Sequence, residues 1–305
     1  MGTVHQLSTA GTSASLGHAT EAYLATLSRR DQANTYRAYS RRLRAAVAEF
    51  GAAAPPGQID PDAFAAWFTA QWGDGSPATW NATLATFRSA ATWWAEQGWA
   101  GADPSRRLRR RSLPPDRSRA LSRADVDQLL TREDISLRER VLWRLLYETA
   151  ARSAEVLALD VEDLDLPNRR ARVRRKGGAI DIIVWQTGTA RLLPRLLKGR
   201  TSGPLFLTDR RARVELPPGD IDQVSGRARL SYTHAEALFK QASGGATLHQ
   251  LRHSALTHDA EAGTSTPMLM ARSGHTSVRS LAKYARVSAE ALQRHQAERD
   301  PARRR

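Results

Sequence analysis

The sequence contains no cysteine and only four lysines among its 305 residues. Without cysteine there can be no disulfide, thiol catalysis, zinc finger or iron–sulfur cluster, and we expect a protein of the reducing cytoplasm. No Gly-Lys dipeptide occurs, which excludes a Walker phosphate-binding loop, and neither a G-x-S-x-G elbow nor a G-x-G-x-x-G loop is present. No apolar run approaches the roughly 18 residues of a membrane helix, and the first 16 residues lack the apolar segment of a signal peptide.

Positive charge is in excess, and arginine carries almost all of it. Lysine and arginine total 46 against 31 acidic residues, which gives a net charge of +15. One guanidinium group can donate to two oxygens of the same phosphate. The excess of arginine over acidic residues therefore favours a polyanionic partner, DNA or RNA. A GC-rich genome that encodes arginine wherever lysine would serve also explains the preference, and both explanations are compatible with the sequence.

The first third of the chain is predicted to form four helices after a flexible tail at residues 1–17. Apolar residues recur near a helical period over residues 19–27 and 35–50. Asp60 and the Ser76-Pro77 pair have the residue types that start helices, and aromatic residues follow both. The pattern predicts a helical domain over residues 18–104.

Residues 105–120 change character, because they contain a Pro-Pro pair, seven arginines and little to bury. We interpret them as a basic linker between two domains. Such a run is often only a solvated segment, but between two basic domains it can also follow the phosphate backbone of DNA. The candidate DNA-binding residues are Arg106, Arg107, Arg109, Arg110 and Arg111.

Residues 121–288 are predicted to be mostly helical, with one β-hairpin. Residues 171–175 and 179–185 alternate with period 2 on either side of Lys176-Gly177-Gly178, which is typical of a hairpin. The predicted fold class is therefore mainly α (α+β), a helical bundle followed by a mixed domain with a small sheet. A weak helix is expected over residues 289–298.

The densest group of polar residues follows Thr247, a predicted helix N-cap. His249, Arg252 and His253 stand at positions i, i+3 and i+4 and share one helix face. The two histidines have the spacing of a zinc pair, but Gln250 occupies the place of the glutamate that such a site needs, and Arg252 would put a cation beside the metal. We therefore expect no metal, and we expect His253 to be a buried, hydrogen-bonded residue.

Further polar residues complete an ordered series along the chain. Arg152 opens a helix with Glu155 one turn later, and Lys176 lies in the hairpin turn. Gly274-His275 follows the histidine helix, and Tyr284 comes nine residues after His275. In order and spacing this series resembles the tyrosine recombinase (phage integrase) family, and the resemblance extends over about residues 18–288.

The resemblance implies both an activity and an assembly. It implies a site-specific recombinase that cuts and rejoins double-stranded DNA through a 3′-phosphotyrosyl link, with no cofactor, neither metal nor ATP. The implied catalytic residues are Arg152, Lys176, His249, Arg252, His275 and Tyr284, with Glu155 and His253 structural near the site. It implies an Xer-like architecture in which residues 18–104 form a SAM-like core-binding domain and residues 121–288 the catalytic domain. A tetramer on paired sites is implied as well, with the tail at 289–305 docked on a neighbouring protomer.

Two other functions stay open at this point. A type IB topoisomerase shares this set of residues, and an integrase-like protein that binds DNA without cutting it would share the fold. Two features depart from the family pattern: Ser273 stands where the family usually has leucine, and residues 201–232 are longer and richer in Pro and Gly than a minimal recombinase needs. The sequence assigns no role to residues 201–232.

Overall fold

The computed structural model of the chain describes residues 14–27, 33–100, 102–114, 120–175, 178–281, 284, 292–293 and 296–297. It divides into two compact units, residues 1–115 and 116–305, and the division falls inside the predicted linker. The described residues are mainly helical with two small antiparallel sheets, which confirms the predicted fold class. Among the described helices, none combines the length and the apolar character that a membrane span requires.

The first unit contains the four predicted helices: α1 at Leu16–Thr26, α2 at Ala33–Phe50, α3 at Pro61–Trp72 and α4 at Pro77–Glu96. The Asp60 carboxylate accepts the Ala63 N–H at 2.8 Å, and the Ser76 hydroxyl accepts the Thr79 N–H at 3.2 Å. Both helix starts are thus set by the caps that the sequence contains. The core of this unit is largely aromatic and includes Phe64, Trp67, Phe68, Trp80, Phe87 and Trp94.

The predicted tail is too long at its C-terminal end. Helix α1 begins at Leu16, which is buried, and the Ser15 hydroxyl accepts the His18 N–H at 3.3 Å. Residues 14–17 therefore belong to the helical unit, because Ser15 caps the helix and Leu16 packs into its core. The remainder of the predicted tail, residues 1–13, lies outside the described residues.

The first part of the predicted linker is also anchored on the helical unit. Leu108 is buried, and the Trp80 indole donates to the Arg109 carbonyl at 2.9 Å. The Asn81 side chain donates to the Arg111 carbonyl at 2.7 Å and accepts from the Arg111 N–H at 2.8 Å. Two polar side chains of α4 thus hold the backbone of this segment, and the expectation that it buries little is wrong for residues 105–111. Residues 115–119 lie outside the described part of the chain.

The second unit is built around α6, whose apolar side chains from Val141 to Leu146 are fully buried. Its helices are α5 at Arg123–Thr131, α6 at Leu137–Thr149, α7 at Ser153–Leu157, α8 at Thr187–Leu197, α9 at Tyr232–Ala242, α10 at Leu248–Glu261, α11 at Thr266–Ser273 and α12 at Val278–Leu281. Three strands form one sheet in the order β1, β2, β3: β1 at Leu164–Asp165, β2 at Arg170–Arg174 and β3 at Ile180–Val184.

The predicted hairpin is confirmed as the β2–β3 pair. Its register sets Arg170 opposite Val184 and Arg174 opposite Ile180. Ala171, Val173 and Ile183 are buried, whereas the arginines of β2 that alternate with them are exposed. The alternation in the sequence therefore gives the buried face of this sheet correctly.

A second sheet lies within residues 201–232, where no strand pattern is visible in the sequence. Strands β4 at Leu207–Arg211 and β5 at Arg227–Arg229 pair antiparallel with an irregular register. The Arg229 guanidinium joins this sheet to the rest of the unit, because it binds Asp160 at 2.7 Å, and it also binds Asp220 of the same segment at 2.8 Å. The strands are short and rich in arginine and have no apolar alternation, so their pairing depends on such distant partners.

Candidate active site

The turn between α6 and α7 places Arg152. Ala150 ends α6 in the left-handed conformation, with φ of 51°, and both Ala150 and Ala151 are completely buried. Arg152 then opens α7. Its guanidinium pairs with the Glu155 carboxylate at 2.6 Å and donates to the Gly274 carbonyl at 3.3 Å. The side chain is 35% exposed, so part of the guanidinium faces solvent beside these two contacts.

Arg252 comes from α10 and is only 4% exposed. Its guanidinium donates to the carbonyl of Ala150 and, at 2.6 Å, to the carbonyl of Ser273. It therefore joins the ends of α6 and α11 to the middle of α10. Burial, and next the charge of Arg152, lower the pKa of Arg252 to about 10. The group still carries its charge near neutral pH.

The end of α11 forms the turn that brings these arginines together with His275. Gly274 follows α11 in the left-handed conformation, with φ of 62°. His275 is half-buried, and its Nδ1 forms a hydrogen bond of 2.7 Å with the Ser273 hydroxyl. Ser273, where the family usually has leucine, thus contacts Arg252 through its carbonyl and His275 through its side chain. From the sequence alone, Ser273 is identified only as a departure from the leucine of the family pattern.

Tyr284 lies against this turn, with 2% of the residue exposed. Its ring centroid is 5.7 Å from that of His275 and 5.0 Å from that of His253. The backbone N–H of Tyr284 donates to the Leu281 carbonyl at 2.8 Å, and the ring packs in a small cluster with Ala150 and Leu256. The structure therefore brings Arg152, Arg252, His275 and Tyr284 together around residues 273–275.

The two other histidine positions differ in exposure. Thr247 is the N-cap of α10, as predicted, and the structure shows a full capping box: the Thr247 hydroxyl accepts the Gln250 N–H at 3.1 Å, and the Gln250 side chain accepts the Thr247 N–H at 2.9 Å. His249 lies in the first turn of α10 and is exposed. His253 is buried, and its Nδ1 lies 3.4 Å from the Thr257 hydroxyl. Lys176 lies outside the described residues.

Glu155 and Arg175 form a buried ion pair. Of the two, only Glu155 was named from the sequence. The Glu155 carboxylate binds Arg152 at 2.6 Å and Arg175 at 2.7 Å, and it accepts the Arg152 N–H at 3.0 Å. Glu155 thus holds both the start of α7 and two neighbouring cations. Arg175 was not recognised as part of the site. The available signal was its register, because residues 171, 173 and 175 share the buried face of the hairpin.

A groove of about 980 Å³ opens beside these residues. Arg152, Arg175 and His275 line it together with β3 and residues of α11. Within the described residues, no group of three or more His, Asp or Glu side chains is placed to hold a metal ion. The groove presents guanidinium groups and a histidine to a ligand, a set that fits a phosphate ester, and the buried Tyr284 ring packs against the same histidine.

The candidate DNA-binding arginines of the first unit differ in their contacts. Arg106, Arg109 and Arg110 are exposed and have no ion pair among the described residues, whereas Arg107 pairs with Asp62 at 3.0 Å. The Arg111 guanidinium donates to the Gly73 carbonyl at 2.7 Å and stacks 3.8 Å above the Trp80 ring. Arg111 therefore has contacts within the protein, and we expect it to contribute less to phosphate binding than the three exposed arginines without an ion pair.

Comparisons with known proteins show the family of this chain. The sequence model described as the phage integrase family matches residues 119–291. The chain is 30% identical to tyrosine recombinase XerC of Mycobacterium sp. (strain JLS) over 291 residues, which cover 88% of this chain and 93% of that protein.

Solved structures show a similar fold. The Tn1549 transposon integrase in complex with a circular intermediate DNA aligns with a TM-score of 0.68 at 16% identity, over 94% of this chain and 100% of that chain. A lambda integrase dimer bound to a COC′ core site aligns with a TM-score of 0.65 at 17% identity, over 89% of this chain and 95% of that chain. The family match covers more than half of the chain, and the XerC relative most of it. The chain therefore belongs to the phage integrase family of tyrosine recombinases, which are enzymes that break and rejoin DNA.

Proposed function

We propose that this chain is a site-specific recombinase that cuts and rejoins duplex DNA through a 3′-phosphotyrosyl intermediate. The observation that carries the proposal is the convergence of Arg152, Arg252, His275 and Tyr284 on one turn. Cleavage of a phosphodiester requires donors at its non-bridging oxygens and a nucleophile, and this site contains both. The Tn1549 and lambda integrase structures were determined with DNA, which supports double-stranded DNA as the substrate.

In the first step the Tyr284 Oη attacks the scissile phosphorus, a new O–P bond forms, and the bond from phosphorus to the 5′ oxygen breaks. Arg152 and Arg252 donate to the non-bridging oxygens, where negative charge develops. The phenol proton passes to His275 or His249, because an imidazole nitrogen can accept a proton as a general base. Lys176 donates a proton to the leaving 5′ oxygen.

Rejoining is the reverse reaction with a 5′ hydroxyl as the nucleophile. Because the phosphotyrosyl bond conserves the energy of the phosphodiester, the cycle requires no ATP. The guanidinium groups supply the charge stabilisation that a metal ion would otherwise give, so we propose that cleavage is independent of metal. Tyr284 is 2% exposed, so its oxygen has to be uncovered in the DNA complex before it can attack.

A nicked suicide substrate tests this mechanism, because the short cleaved fragment diffuses away and the covalent complex accumulates. We expect the wild-type protein to form this complex with or without EDTA. Tyr284→Phe should bind the same DNA and form no complex, since only the nucleophilic oxygen is lost. Tyr232→Phe, which changes an exposed tyrosine of the same unit, is the matched control and should react as the wild type does.

The outcomes also separate the alternatives. A covalent complex with Tyr284→Phe, or its loss in EDTA, would contradict the mechanism. Binding by the wild type without any covalent complex would indicate an integrase-like binding protein. Relaxation of supercoiled DNA without exchange of strands between two sites would indicate a type IB topoisomerase.

We further propose that the protein acts as a homo-oligomer, a tetramer on paired sites, in the cytoplasm. The lambda integrase dimer on DNA supports assembly on DNA, and the absence of cysteine supports the location. The predicted docking tail at residues 289–305 lies outside the described residues except for 292–293 and 296–297, where Leu292 is exposed.

A further inference from the structure

The β4–β5 sheet lies in the segment to which the sequence assigns no role, residues 201–232. The acidic residues of this segment are mostly engaged inside the protein. Three of the four are held by partners: Asp209 by Arg138, Asp220 by Arg229, and Asp222 by the N–H of Ser225. The fourth, Glu215, is exposed.

The arginines of the same segment are used differently. Arg229 is tied to the protein through Asp160 and Asp220. The other four are exposed and have no ion pair among the described residues: Arg210, Arg211, Arg213 and Arg227. Four unpaired arginines thus stand against one exposed glutamate. A local excess of positive charge of this kind attracts a polyanion.

The register of the sheet places two of these arginines opposite each other. Arg211 of β4 pairs with Arg227 of β5, and the stem of Arg211 lies against Gly226, where an added Cβ would come within 3.7 Å of it. Opposite residues of an antiparallel pair have Cβ atoms about 5 Å apart, and like charges at such positions are destabilising. The fold therefore gains no stability from this pair. An anion bound by both guanidinium groups would remove their repulsion.

The base of the sheet is attached close to the candidate active site. The Arg138 guanidinium, whose side chain is 10% exposed, donates to the Leu207 carbonyl at 2.9 Å, and Arg229 donates to the Leu157 carbonyl at 3.2 Å. Leu157 ends α7, the five-residue helix that Arg152 opens. The attachment point therefore lies about 8 Å from Arg152 along the helix axis.

The length of β4 limits how far the arginine pair lies from this base. Arg211 is four residues beyond Leu207, which is at most about 14 Å of strand. With the 8 Å of α7 and the reach of the Arg229 side chain, the pair lies within roughly 30 Å of Arg152. In B-DNA this distance spans about nine base pairs.

We propose that Arg211 and Arg227 bind the phosphate backbone of the duplex that flanks the cleavage site, within about nine base pairs of the scissile phosphate. The inference rests on the proposed function, because its ligand is duplex DNA. One guanidinium can donate to two phosphate oxygens, so the pair can hold one phosphate or two successive ones. The contact strengthens binding without reading bases.

The salt dependence of binding tests the contact. The double variant Arg211→Gln/Arg227→Gln removes two charges, and each neutralised phosphate contributes roughly 0.9 to the slope of log affinity against log salt. We expect the slope to fall by about 1.8, which is roughly a 12-fold change in affinity over a fourfold rise in salt. Fluorescence anisotropy measures it on a target duplex that extends about ten base pairs to each side of the cleavage point.

Two matched variants and a stability measurement serve as controls. Arg211→Lys/Arg227→Lys keeps both charges and should keep the slope. Arg191→Gln/Arg195→Gln removes two exposed arginines from α8 of the same unit and should leave the slope near that of the wild type. The Arg211→Gln/Arg227→Gln variant should unfold at the same or a slightly higher urea concentration than the wild type, because it loses a like-charge contact.

Ethylation interference locates the contact on the DNA, because an ethyl group neutralises one phosphate at a time. At least one phosphate within about nine base pairs of the cleavage point should interfere with binding of the wild type and not with binding of the glutamine pair. The scissile phosphate should give the same result with both proteins.

Each other outcome contradicts the inference. An unchanged slope in the glutamine pair, or an interference pattern like that of the wild type, would show that these arginines do not contact DNA. An equal loss of slope in the α8 control, with no phosphate relieved in the glutamine pair, would show an effect of net charge alone. Normal DNA binding with weaker assembly on paired sites would assign the surface to a second copy of the chain. If the wild type itself does not bind duplex DNA, the proposed function fails and the inference fails with it.

Discussion

The arginines of the segment after α4 give a sharp test of how the protein binds DNA, because the structure separates those that are available from one that is not. Arg106, Arg109 and Arg110 are exposed without an ion pair among the described residues, whereas Arg111 donates to the Gly73 carbonyl and stacks on Trp80. A triple change of the first three to glutamine should therefore weaken phosphate binding. Arg111→Gln should instead destabilise the helical unit.

The size of the effect follows from counterion release. Each neutralised phosphate of B-DNA contributes roughly 0.9 to the slope of log affinity against log salt. Three contacts contribute about 2.7, which over a fourfold rise in salt corresponds to roughly a 40-fold change in affinity. The triple variant should lose this much of the slope. Arg111→Gln loses a charged donor and a cation–π contact, which should lower the free energy of unfolding by about 2 kcal/mol with little change in slope.

Fluorescence anisotropy with a labelled target duplex, from about 50 to 200 mM salt, measures the slope directly. The preference for a target over a scrambled site should change little in the triple variant, because phosphate contacts position a protein without reading bases. An unchanged slope in the triple variant would show that the segment is only solvated. A different result would refute the reasoning: Arg111→Gln unfolds at the wild-type urea concentration and loses one third of the slope that the triple variant loses. Arg111 would then contact a phosphate as the three exposed arginines do.

Two further predictions concern the arginine pair Arg152 and Arg252 and the predicted C-terminal tail. Arg152→Ala and Arg252→Ala should each slow cleavage by about 100-fold or more, yet urea unfolding should separate them. Arg252→Ala leaves the buried carbonyls of Ala150 and Ser273 without their donor and should cost about 2 to 5 kcal/mol, whereas Arg152→Ala should stay within about 1 kcal/mol because its side chain is partly exposed; equal losses of stability would contradict this. Deletion of residues 288–305 should leave binding to a single site nearly intact and weaken assembly on paired sites in analytical ultracentrifugation, and wild-type assembly by the truncated protein would rule out a docking role for the tail.

Much of the fold follows from signals that act within a few residues. Ser76, Asp60 and Thr247 start helices because their side chains accept N–H groups three residues later, and that contact depends on the local sequence alone. The β2–β3 hairpin follows from period-2 alternation on either side of a glycine turn. These elements could be placed without knowledge of the rest of the chain.

The β4–β5 sheet and the anchoring of residues 105–111 could not be predicted in this way. The first depends on Arg229 reaching Asp160, 69 residues earlier, and the second on Trp80 and Asn81 reaching a backbone about 30 residues later. From its sequence alone, an arginine-rich segment is predicted to be solvated, because the distant residues that hold it are not visible in the local pattern. Charge patterning therefore did not show that α4 holds the backbone of this segment or that Arg111 has partners within the protein.

The sequence by itself determined the order and spacing of the candidate site residues, from Arg152 to Tyr284, and with them the family. Only the tertiary structure decided how exposed each one is and what it contacts: Arg252 is buried under two carbonyls, Ser273 orients His275, and Arg175 joins the site through Glu155, 20 residues away. The reason is physical. Helix caps and strand alternation are local interactions, whereas a buried charge is stable only where distant segments bring its partners within hydrogen-bond distance.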